Sequence, residues 1–379
     1  MSFFLFVKQI ADMLYSYKML DYFMVGLLLV MLIYQILLVR PDFKAIFTKT
    51  DGIIIGLSGL VTISFLRSPG EYETYFKILS AFLMYFVGRI YYDRIRESYS
   101  ALVSSSYIVI YLNLFHRIFC YEGKLFQVTN AGGDLYYYDT DMAFAMILGF
   151  IFITMFGKNS VLKLFTILLV CPYMVFYSDA GIQKILLLVV AAIVLVYIME
   201  LILRKPKLSN IVLIAMVIGI VAVVALIYLP LMGIDNSQFS SELSHGKILD
   251  YQNMNARYAA WSEVVELSRQ KGILGQIFGN GLSVGAGNGI YVESLYVKTY
   301  YSIGWIGLAL ALGLVAAVTR YIVKAKDRKT FYLMVMMMVI LLGSGVAINS
   351  MERVQMSWFP LLFAGMVVSS VQEDRLEIM

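Results

Sequence analysis

Charged side chains in this sequence stand at the ends of apolar segments, where they could form a reaction site at one face of a membrane. An ionisable group at membrane depth is costly unless it is paired or faces water, so such groups mark sites or pathways. The set comprises Arg67, Lys77, Arg117, Asp139, Asp141, Asp179, Lys184, Glu293, Lys298, Glu352 and Arg353. Lys77 and Lys298 can snorkel as structural residues, whereas Arg67, Lys184 and Arg353 lie deeper and suit a structural or a functional role equally.

The stretch SDAGIQK at 178–184 joins two apolar segments with almost no loop. Asp179 and Lys184 must therefore lie at the membrane edge, one apolar turn apart. They could form an ion pair that fixes a helical hairpin, or Lys184 could be presented to an anionic head group. The sequence leaves both interpretations open.

A second group of candidates lies in a polar region that we expect to be a soluble loop. Its segment 253–272, NMNARYAAWSEVVELSRQKG, has apolar residues at helical spacing and predicts one amphipathic helix that ends at Gly272. Arg257 falls in the first turns, where the helix dipole does not favour a cation. An anionic partner would explain this placement, and so would a salt bridge to Glu263 or Asp250.

Other residue types in the chain carry weaker signals. His116 ends an apolar segment and His245 lies in the polar loop, and either could carry a proton, although a lone histidine is more often structural. The glycine-rich stretch 278–289 lacks a preceding strand and a following Lys-Ser/Thr, so it predicts a flexible link and not a nucleotide site. Cys120 and Cys171 have no metal-ligand spacing, so no disulfide framework or metal site is expected.

The elements that must position these residues are membrane-spanning helices. Hydrophobic residues make up 60% of the 379 residues, charged residues make up 15%, and the mean hydropathy is +0.79. Soluble domains carry about 25% charged residues, so no water-soluble core could hide this apolar surface. Apolar stretches of about 20 residues, which is the length that crosses a bilayer, predict roughly eleven spans. They lie near 20–39, 51–67, 72–91, 99–118, 141–157, 160–178, 181–203, 208–232, 291–319, 331–348 and 355–371.

The distribution of basic residues predicts an orientation. Seventeen of the 30 Lys and Arg residues fall in one alternating set of loops and the C-terminal tail, which the positive-inside rule places in the cytoplasm. The net charge of +5 therefore indicates membrane topology and not nucleic-acid binding. Residues 1–18 are short and charged and suit an interfacial helix better than a span. The N-terminus is then expected outside; if these residues span, it moves inside.

The predicted fold is all-α, a polytopic bundle of about eleven transmembrane helices with one large extracytoplasmic loop. Residues 1–232 form an N-terminal bundle of about eight spans. Residues 233–290 form the loop with its amphipathic helix. Residues 291–379 form a C-terminal region of about three spans, followed by a short cytoplasmic tail.

The order of these features resembles the O-antigen polymerase and ligase superfamily of bacterial membrane glycosyltransferases (the Wzy-type enzymes and their ligase relatives). NARYAAW, which contains Arg257, is similar to the family's Asn-x-Arg-…-Trp helix, and a glycine-rich turn follows it. VESLYVKTYYSIGWIGL then leads from Glu293 into a span that carries Gly304 and Gly307. Glu293 stands where the family often has a loop histidine, which favours a polymerase over a ligase.

Two upstream segments add to this resemblance. YYYDTDMAFAM at 136–146 is similar to the family's Asp-x-Asn motif, with Asp141 where asparagine is common. SDAGIQK is similar to its short Ser-Arg-Gly-type outer turn. There Asp179 replaces the usual arginine, and Lys184 could supply the charge instead.

The resemblance implies a GT-C-like fold in the bacterial plasma (inner) membrane and glycosyl transfer at the outer leaflet. A growing glycan on undecaprenyl pyrophosphate would be transferred to another lipid-linked oligosaccharide repeat, in O-antigen, capsule or exopolysaccharide synthesis. No metal or cofactor is implied. Membrane lipid is an implied partner, as are a flippase and chain-length regulator proteins. The alternatives are ligase-type transfer to a different acceptor and transport of the lipid-linked oligosaccharide, although charges gathered on one face favour chemistry at one leaflet.

The implied mechanism assigns roles to the charged set. Fixed cations would stabilise the leaving pyrophosphate, and a carboxylate would orient or deprotonate the acceptor hydroxyl. The catalytic candidates are Glu293 as the preferred base, Arg257 and Asp141. The substrate-binding candidates are Arg67, Arg117, Lys184, Arg353, Asp139, Tyr296 and His245. Asp139 is a further candidate base, and Glu293 could instead form a salt bridge to Arg257 or Lys298.

Overall fold

The computed structural model of the chain is a bundle of helices. It describes residues 1–14, 18–39, 47–119, 139–178, 180–203, 251–283 and 292–376, with the single positions 215 and 219. Helix makes up 86% of the structure, and the described residues contain no strand. The prediction of an all-α fold is confirmed. The predicted span at 208–232 and the first part of the predicted loop, 233–250, lie outside the described residues apart from those two positions.

Over the described ranges the chain forms fourteen helices. They are α1 Ser2–Met13, α2 Lys18–Val39, α3 Lys49–Arg67, α4 Tyr72–Ile90, α5 Tyr92–Glu97, α6 Tyr99–Phe119, α7 Asp139–Phe156, α8 Val161–Tyr177, α9 Gly181–Leu203, α10 Tyr251–Gln270, α11 Gly272–Phe278, α12 Leu295–Lys324, α13 Arg328–Ser344 and α14 Val354–Leu376. Within α8, the turn Thr166–Val170 is π-helical.

Five helical segments are long and apolar enough to cross a membrane. They are Lys49–Arg67, Tyr99–Phe119, Gly181–Leu203, Leu295–Lys324 and Val354–Gln372. Three shorter apolar segments are Tyr22–Tyr34, Thr140–Phe156 and Val161–Tyr177. The chain is therefore a helical, multi-pass membrane protein. The number of eleven spans and the orientation in the membrane stay predictions.

The centre of the bundle forms where α14 packs along α4. Gly88 of α4 and Gly365 of α14 lie at this contact, and a Cβ atom on either would overlap a backbone carbonyl of the other helix. Small residues allow helices to approach closely in lipid, where van der Waals packing and not water drives their association. Trp358 of α14 is buried beside them, and its Nε1 donates to Ser80 Oγ at 3.0 Å.

The first helix, α1, packs along α6 and buries one of its faces in the bundle; its position relative to the membrane interface stays a prediction. It runs parallel to α6: Ser2 Oγ lies 2.8 Å from Ser98 Oγ, and Ser105 Oγ donates to Gln9 Oε1 at 2.7 Å. Ser98 directly follows the basic helix α5, so the chain begins at the end of the bundle where the predicted cytoplasmic residues lie. The side of the membrane on which the N-terminus lies stays a prediction.

Burial of α1 is possible because its charges find partners within the bundle. Lys8 and Asp12 are both buried and form an ion pair one turn apart. Lys8 Nζ also lies 4.7 Å from the ring centroid of Trp358 and 3.4 Å from the carbonyl of Val354. A segment with paired charges can enter an apolar environment from which the same charges, unpaired, would be excluded.

Helix α12 is broken near its first third. Gly304 has φ 69°, and Gly279, at the end of α11, has φ 81°. A Cβ atom on either glycine would overlap backbone of the other segment, so both the conformation and the close approach require glycine. The described beginning of the glycine-rich stretch therefore packs against α12, where the sequence predicted a flexible link.

Backbone carbonyl groups next to the break in α12 accept hydrogen bonds from other parts of the protein. The Asn280 N–H donates to the carbonyl of Tyr301 at 2.8 Å, and Ser64 Oγ donates to the carbonyl of Ser302 at 2.7 Å. Non-helical backbone at membrane depth persists where it is buried in protein or lines a cavity. These contacts join α3, α11 and α12, and they fix the first turns of α12, where the predicted site residues lie.

Candidate functional site

The connection between α13 and α14, residues 345–353, ties three predicted site segments together. Three of its side-chain contacts reach the predicted site segments: Arg257 Nη1 to the Ala347 carbonyl at 3.2 Å, Lys298 Nζ to Glu352 Oε1 at 3.5 Å, and Arg353 Nη1 to Asp141 Oδ2 at 3.0 Å. The Leu295 N–H also donates to the Gly345 carbonyl at 2.8 Å. The connection thereby brings α10, the start of α12 and the start of α7 to one end of the bundle.

Arg257 and Glu293 form an ion pair at this end. Arg257 Nη2 lies 2.9 Å from Glu293 Oε2, and the two side chains are 25% and 40% exposed. This pair is the structural alternative that the sequence offered for Glu293, a salt bridge to Arg257; Glu263 of the same helix is not the partner, and an anionic ligand for Arg257 stays a prediction. Arg257 Nε makes no hydrogen bond within the described part of the chain. One N–H of the guanidinium therefore stays available to a ligand.

The predicted amphipathic helix is present as α10, and its apolar face fixes the position of Arg257. Trp261 and Val264 are fully buried, one and two turns beyond Arg257, while Glu263 and Glu266 are exposed. The two buried residues pack on an apolar cluster from the start of α12: Val292, Tyr296, Val297 and Tyr301. Burial of a large aromatic side chain contributes about 1.5–3 kcal/mol, which is enough to hold the helix against the bundle end.

An apolar cavity of about 150 Å³ lies between α3, α4, α12, α13 and α14. Most of its lining is aliphatic, with side chains such as Leu57, Val61, Leu308 and Val315. The polar lining is concentrated at the end next to the 345–353 connection: Tyr296, Lys298, Thr299, Ser302, Asn349 and Glu352. Leu312, also in the lining, is 50% exposed, so the cavity reaches the lipid-facing surface of the bundle.

Glu352 has the most perturbed environment at this polar end. Its side chain keeps 23% exposure, but Oε1 is shielded from solvent and makes no hydrogen bond within the described residues. Burial raises the pKa of Glu352, Lys298 partly opposes that rise, and Glu71 adds to it. Lys298 therefore neutralises Glu352 only loosely, across 3.5 Å.

Two further candidates join the same end of the bundle. Asp141 is buried in the first turn of α7 and is held by Arg353, so this pair links α7 to α14. Tyr296 lines the cavity, and its hydroxyl donates to the Leu342 carbonyl at 2.8 Å. These contacts connect α7 to α14 and α12 to α13 at this end of the bundle.

The other residues that the sequence assigned to substrate binding make no contact with the 345–353 connection among those described above. Arg67 Nη1 donates to the Gly279 carbonyl at 2.6 Å and so secures the broken region of α12. The Arg117 guanidinium carbon lies 3.9 Å from the ring centroid of Tyr177, which joins α6 to α8. Lys184 is half-buried in the first turn of α9. His245, Asp179 and the side chain of Asp139 lie outside the described part of the structure.

Sequence reasoning counted Lys298 and Glu352 among the charges at the predicted outer end but gave neither of them a catalytic or substrate-binding role. Lys298 reads as a snorkelling lysine, and Glu352 stands directly before the candidate Arg353. The signal that could have indicated them is their position, because each lies at the start of an apolar segment at the predicted outer end. In the described ranges, no cluster of three His, Cys, Asp or Glu side chains could hold a metal ion.

The fold and the site together define a helical, multi-pass membrane protein with a charged cluster beside an apolar cavity at one bundle end. No protein-family model and no curated protein matches the chain. The resemblance to O-antigen polymerases and ligases therefore depends on the motif residues alone.

Proposed function

We propose that this chain is a polysaccharide polymerase of the bacterial plasma membrane. It transfers a growing glycan from undecaprenyl pyrophosphate to another lipid-linked oligosaccharide repeat, without a metal. The observation that carries the proposal is the Arg257–Glu293 ion pair at 2.9 Å, assembled near the polar end of an apolar cavity. A lipid with an anionic head group and a long apolar tail matches this arrangement, because its head group suits the charged residues and its tail suits the cavity.

The cations at this end suit a leaving pyrophosphate. As the glycosyl bond breaks, negative charge accumulates on the phosphate oxygen, and fixed donors stabilise it without any change of position. Arg257 has one N–H without a hydrogen bond in the described residues, and charge-assisted bonds from guanidinium to phosphate are among the strongest in proteins. Lys298, at the cavity, supplies a second positive charge.

The cavity suits part of a polyprenyl chain. An apolar cavity of about 150 Å³ accepts a benzene-sized group, so this one takes a short section of the lipid and not the whole tail. The rest would follow the exposed apolar surface of α12 and α3, where Leu312 and Ile63 face outward. Each buried CH₂ group contributes about 0.8 kcal/mol, so even a few isoprene units would hold the lipid in place.

The orientation follows from the basic residues. Arg89 and Arg94 lie at the end of the bundle opposite the site, near the start of α6. The positive-inside rule assigns that end to the cytoplasm. The site then faces the outer leaflet, and the C-terminus is cytoplasmic. The expected partners are a flippase, which supplies the lipid-linked substrate, and chain-length regulator proteins, which act on the polymer product.

Transport of the same lipid is the second candidate, because α12 is broken at Gly304 and broken helices are typical of transporters. Two observations favour chemistry. The carbonyls at the break are taken up by Asn280 and Ser64, so they do not coordinate a passing ligand. The charged cluster of the site also lies at one end of the bundle and not at its middle.

The test is incubation of the pure protein in detergent with one lipid-linked oligosaccharide. A ladder of products supports a polymerase, a single addition to a different acceptor indicates a ligase, and no transfer contradicts both. Movement of the lipid across reconstituted vesicles without transfer would indicate the transporter. Arg257→Ala should abolish the ladder, whereas the matched control Arg269→Ala, on the same helix but exposed, should retain it.

A further inference from the structure

Two glutamates stand near the start of α12, and their surroundings differ. Glu293 Oε2 lies 2.9 Å from Arg257 Nη2, and the side chain is 40% exposed. Glu352 Oε1 faces the interior, accepts no hydrogen bond in the described residues and has Lys298 Nζ at 3.5 Å. One carboxylate holds an arginine at 2.9 Å, whereas the other faces Lys298 through Oε1 only across a long 3.5 Å ion pair.

The surroundings of Glu352 suggest a place for a hydroxyl group. Glu352 lines the polar end of the cavity together with Ser302 and Thr299. Ser302 is 4% exposed, and its Oγ also makes no hydrogen bond within the described chain. Buried polar atoms without partners are rare in folded proteins and call for a ligand or water. Ser302 Oγ and the loosely paired Glu352 Oε1 therefore leave hydrogen-bonding capacity for a hydroxyl group at the polar end of the cavity, beyond the apolar part that suits the lipid.

We propose that Glu352, and not Glu293, accepts the proton of the acceptor sugar hydroxyl, while Glu293 positions Arg257. The inference rests on the proposed transferase function. The hydroxyl oxygen forms a bond to the anomeric carbon of the donor sugar. The bond from that carbon to the phosphate oxygen breaks, and its electron pair leaves with the lipid pyrophosphate. The hydroxyl proton passes to the carboxylate of Glu352.

The charged groups around Glu352 predict how the rate depends on pH. Lys298 of α12 faces Glu352, and Glu71 and Lys77 approach it from the α4 side. Burial raises the pKa of Glu352, and a general base must be ionised to accept a proton. The rate should therefore fall as the pH falls through that raised pKa, and this acidic limb should depend on Glu352.

The experiment compares polymer formation as a function of pH for the wild type, Glu352→Gln, Glu352→Asp and Glu293→Gln, in detergent with one lipid-linked oligosaccharide. Removal of a general base lowers a rate by about 10²–10⁴-fold. We expect a loss of that size for Glu352→Gln with binding of the lipid-linked oligosaccharide unchanged. Glu352→Asp keeps a carboxylate and should keep the acidic limb at a reduced rate.

Glu293→Gln tests the positioning role. It should weaken lipid binding and lower the rate, because Arg257 loses its partner, but the acidic limb should persist. Glu266→Gln, an exposed glutamate on α10, is the matched control and should stay within about twofold of wild type, as exposed charge changes usually do. If Glu352→Gln formed polymer at the wild-type rate and kept the acidic limb of the pH profile, the inference about Glu352 would be overturned, but the proposed transferase function would stand. A wild type that binds the lipid but forms no polymer would overturn the proposed function, and the inference with it.

Discussion

Charged side chains at the two ends of the bundle differ in how many hydrogen bonds and ion pairs they make. At the end near the start of α3, Asp51 is 3% exposed and accepts four kinds of donor: the Thr48 N–H at 2.6 Å, Thr48 Oγ1 at 2.8 Å, the Tyr85 hydroxyl at 2.7 Å and Arg89 Nε at 3.1 Å. Arg89 also donates to Ser369 Oγ of α14 at 2.9 Å. The cluster closes α3, α4 and α14 into one unit.

At the site end, charged groups have fewer contacts. Arg257 and Glu293 are partly exposed, Lys298 reaches Glu352 only at 3.5 Å, and Glu352 Oε1 lacks a hydrogen bond in the described residues. A fully satisfied buried network rigidifies a fold. An incompletely satisfied one leaves bonding capacity for a ligand. Under the proposed function, the Asp51 end serves stability and the Glu352 end serves binding and chemistry, and four predictions test that division.

The largest expected effect is on stability. Asp51→Ala leaves Arg89 buried without its carboxylate, and breaking a buried ion pair destabilises a protein by about 3–5 kcal/mol. We expect a large fall in the thermal unfolding temperature in detergent, or loss of folded protein. Glu266→Ala, which breaks the exposed pair with Arg269, is the control and should leave the unfolding temperature unchanged. An Asp51→Ala protein as stable as this control would contradict the division between the two ends.

The next effect is on activity. Arg257→Ala removes a cation that would stabilise the leaving pyrophosphate, and loss of one such donor lowers a rate by about 10²–10³-fold. Chain length on a gel of extracted polysaccharide measures it. The unfolding temperature should stay close to wild type, because Arg257 is partly exposed and α10 is anchored by Trp261 and Val264. Unchanged chain length would remove Arg257 from the site.

A smaller effect is expected at the break in α12. Gly304→Ala places a Cβ atom at φ 69° against the Ile277 carbonyl, and such backbone strain is of the order of 1–3 kcal/mol. Gly313→Ala is the matched control on the same helix, because its Cβ would meet only Ile53 at an ordinary 3.9 Å. The difference in unfolding temperature between the two variants measures the strain. Equal temperatures would show that the break tolerates a side chain.

Several helices could be predicted from the sequence, because length and apolarity determine what crosses a bilayer. The helix with Arg257 could also be predicted, since its pattern is local. The burial of α1 could not, because it depends on the Lys8–Asp12 pair and on a distant tryptophan. The contact between Lys298 and Glu352 likewise joins residues 54 positions apart, and only the 345–353 connection brings them together. Sequence spacing predicted a set of charges at one end of the bundle, but not which of them pair.

The smallest effect concerns the pH dependence of stability and tests Glu352 without any substrate. A carboxyl whose pKa is raised on folding binds its proton more tightly in the folded state than in the unfolded state. The free energy of unfolding therefore decreases as the pH rises from about 4.3, the ordinary glutamate value, through the raised pKa. Thermal unfolding of wild type and Glu352→Gln across that window measures the contribution of this one group. The variant should show a flatter profile than wild type, whereas Glu266→Gln should not. Identical slopes in all three proteins would mean that Glu352 is as well solvated as a surface glutamate, and the contrast between the two ends would then rest on Arg257 alone.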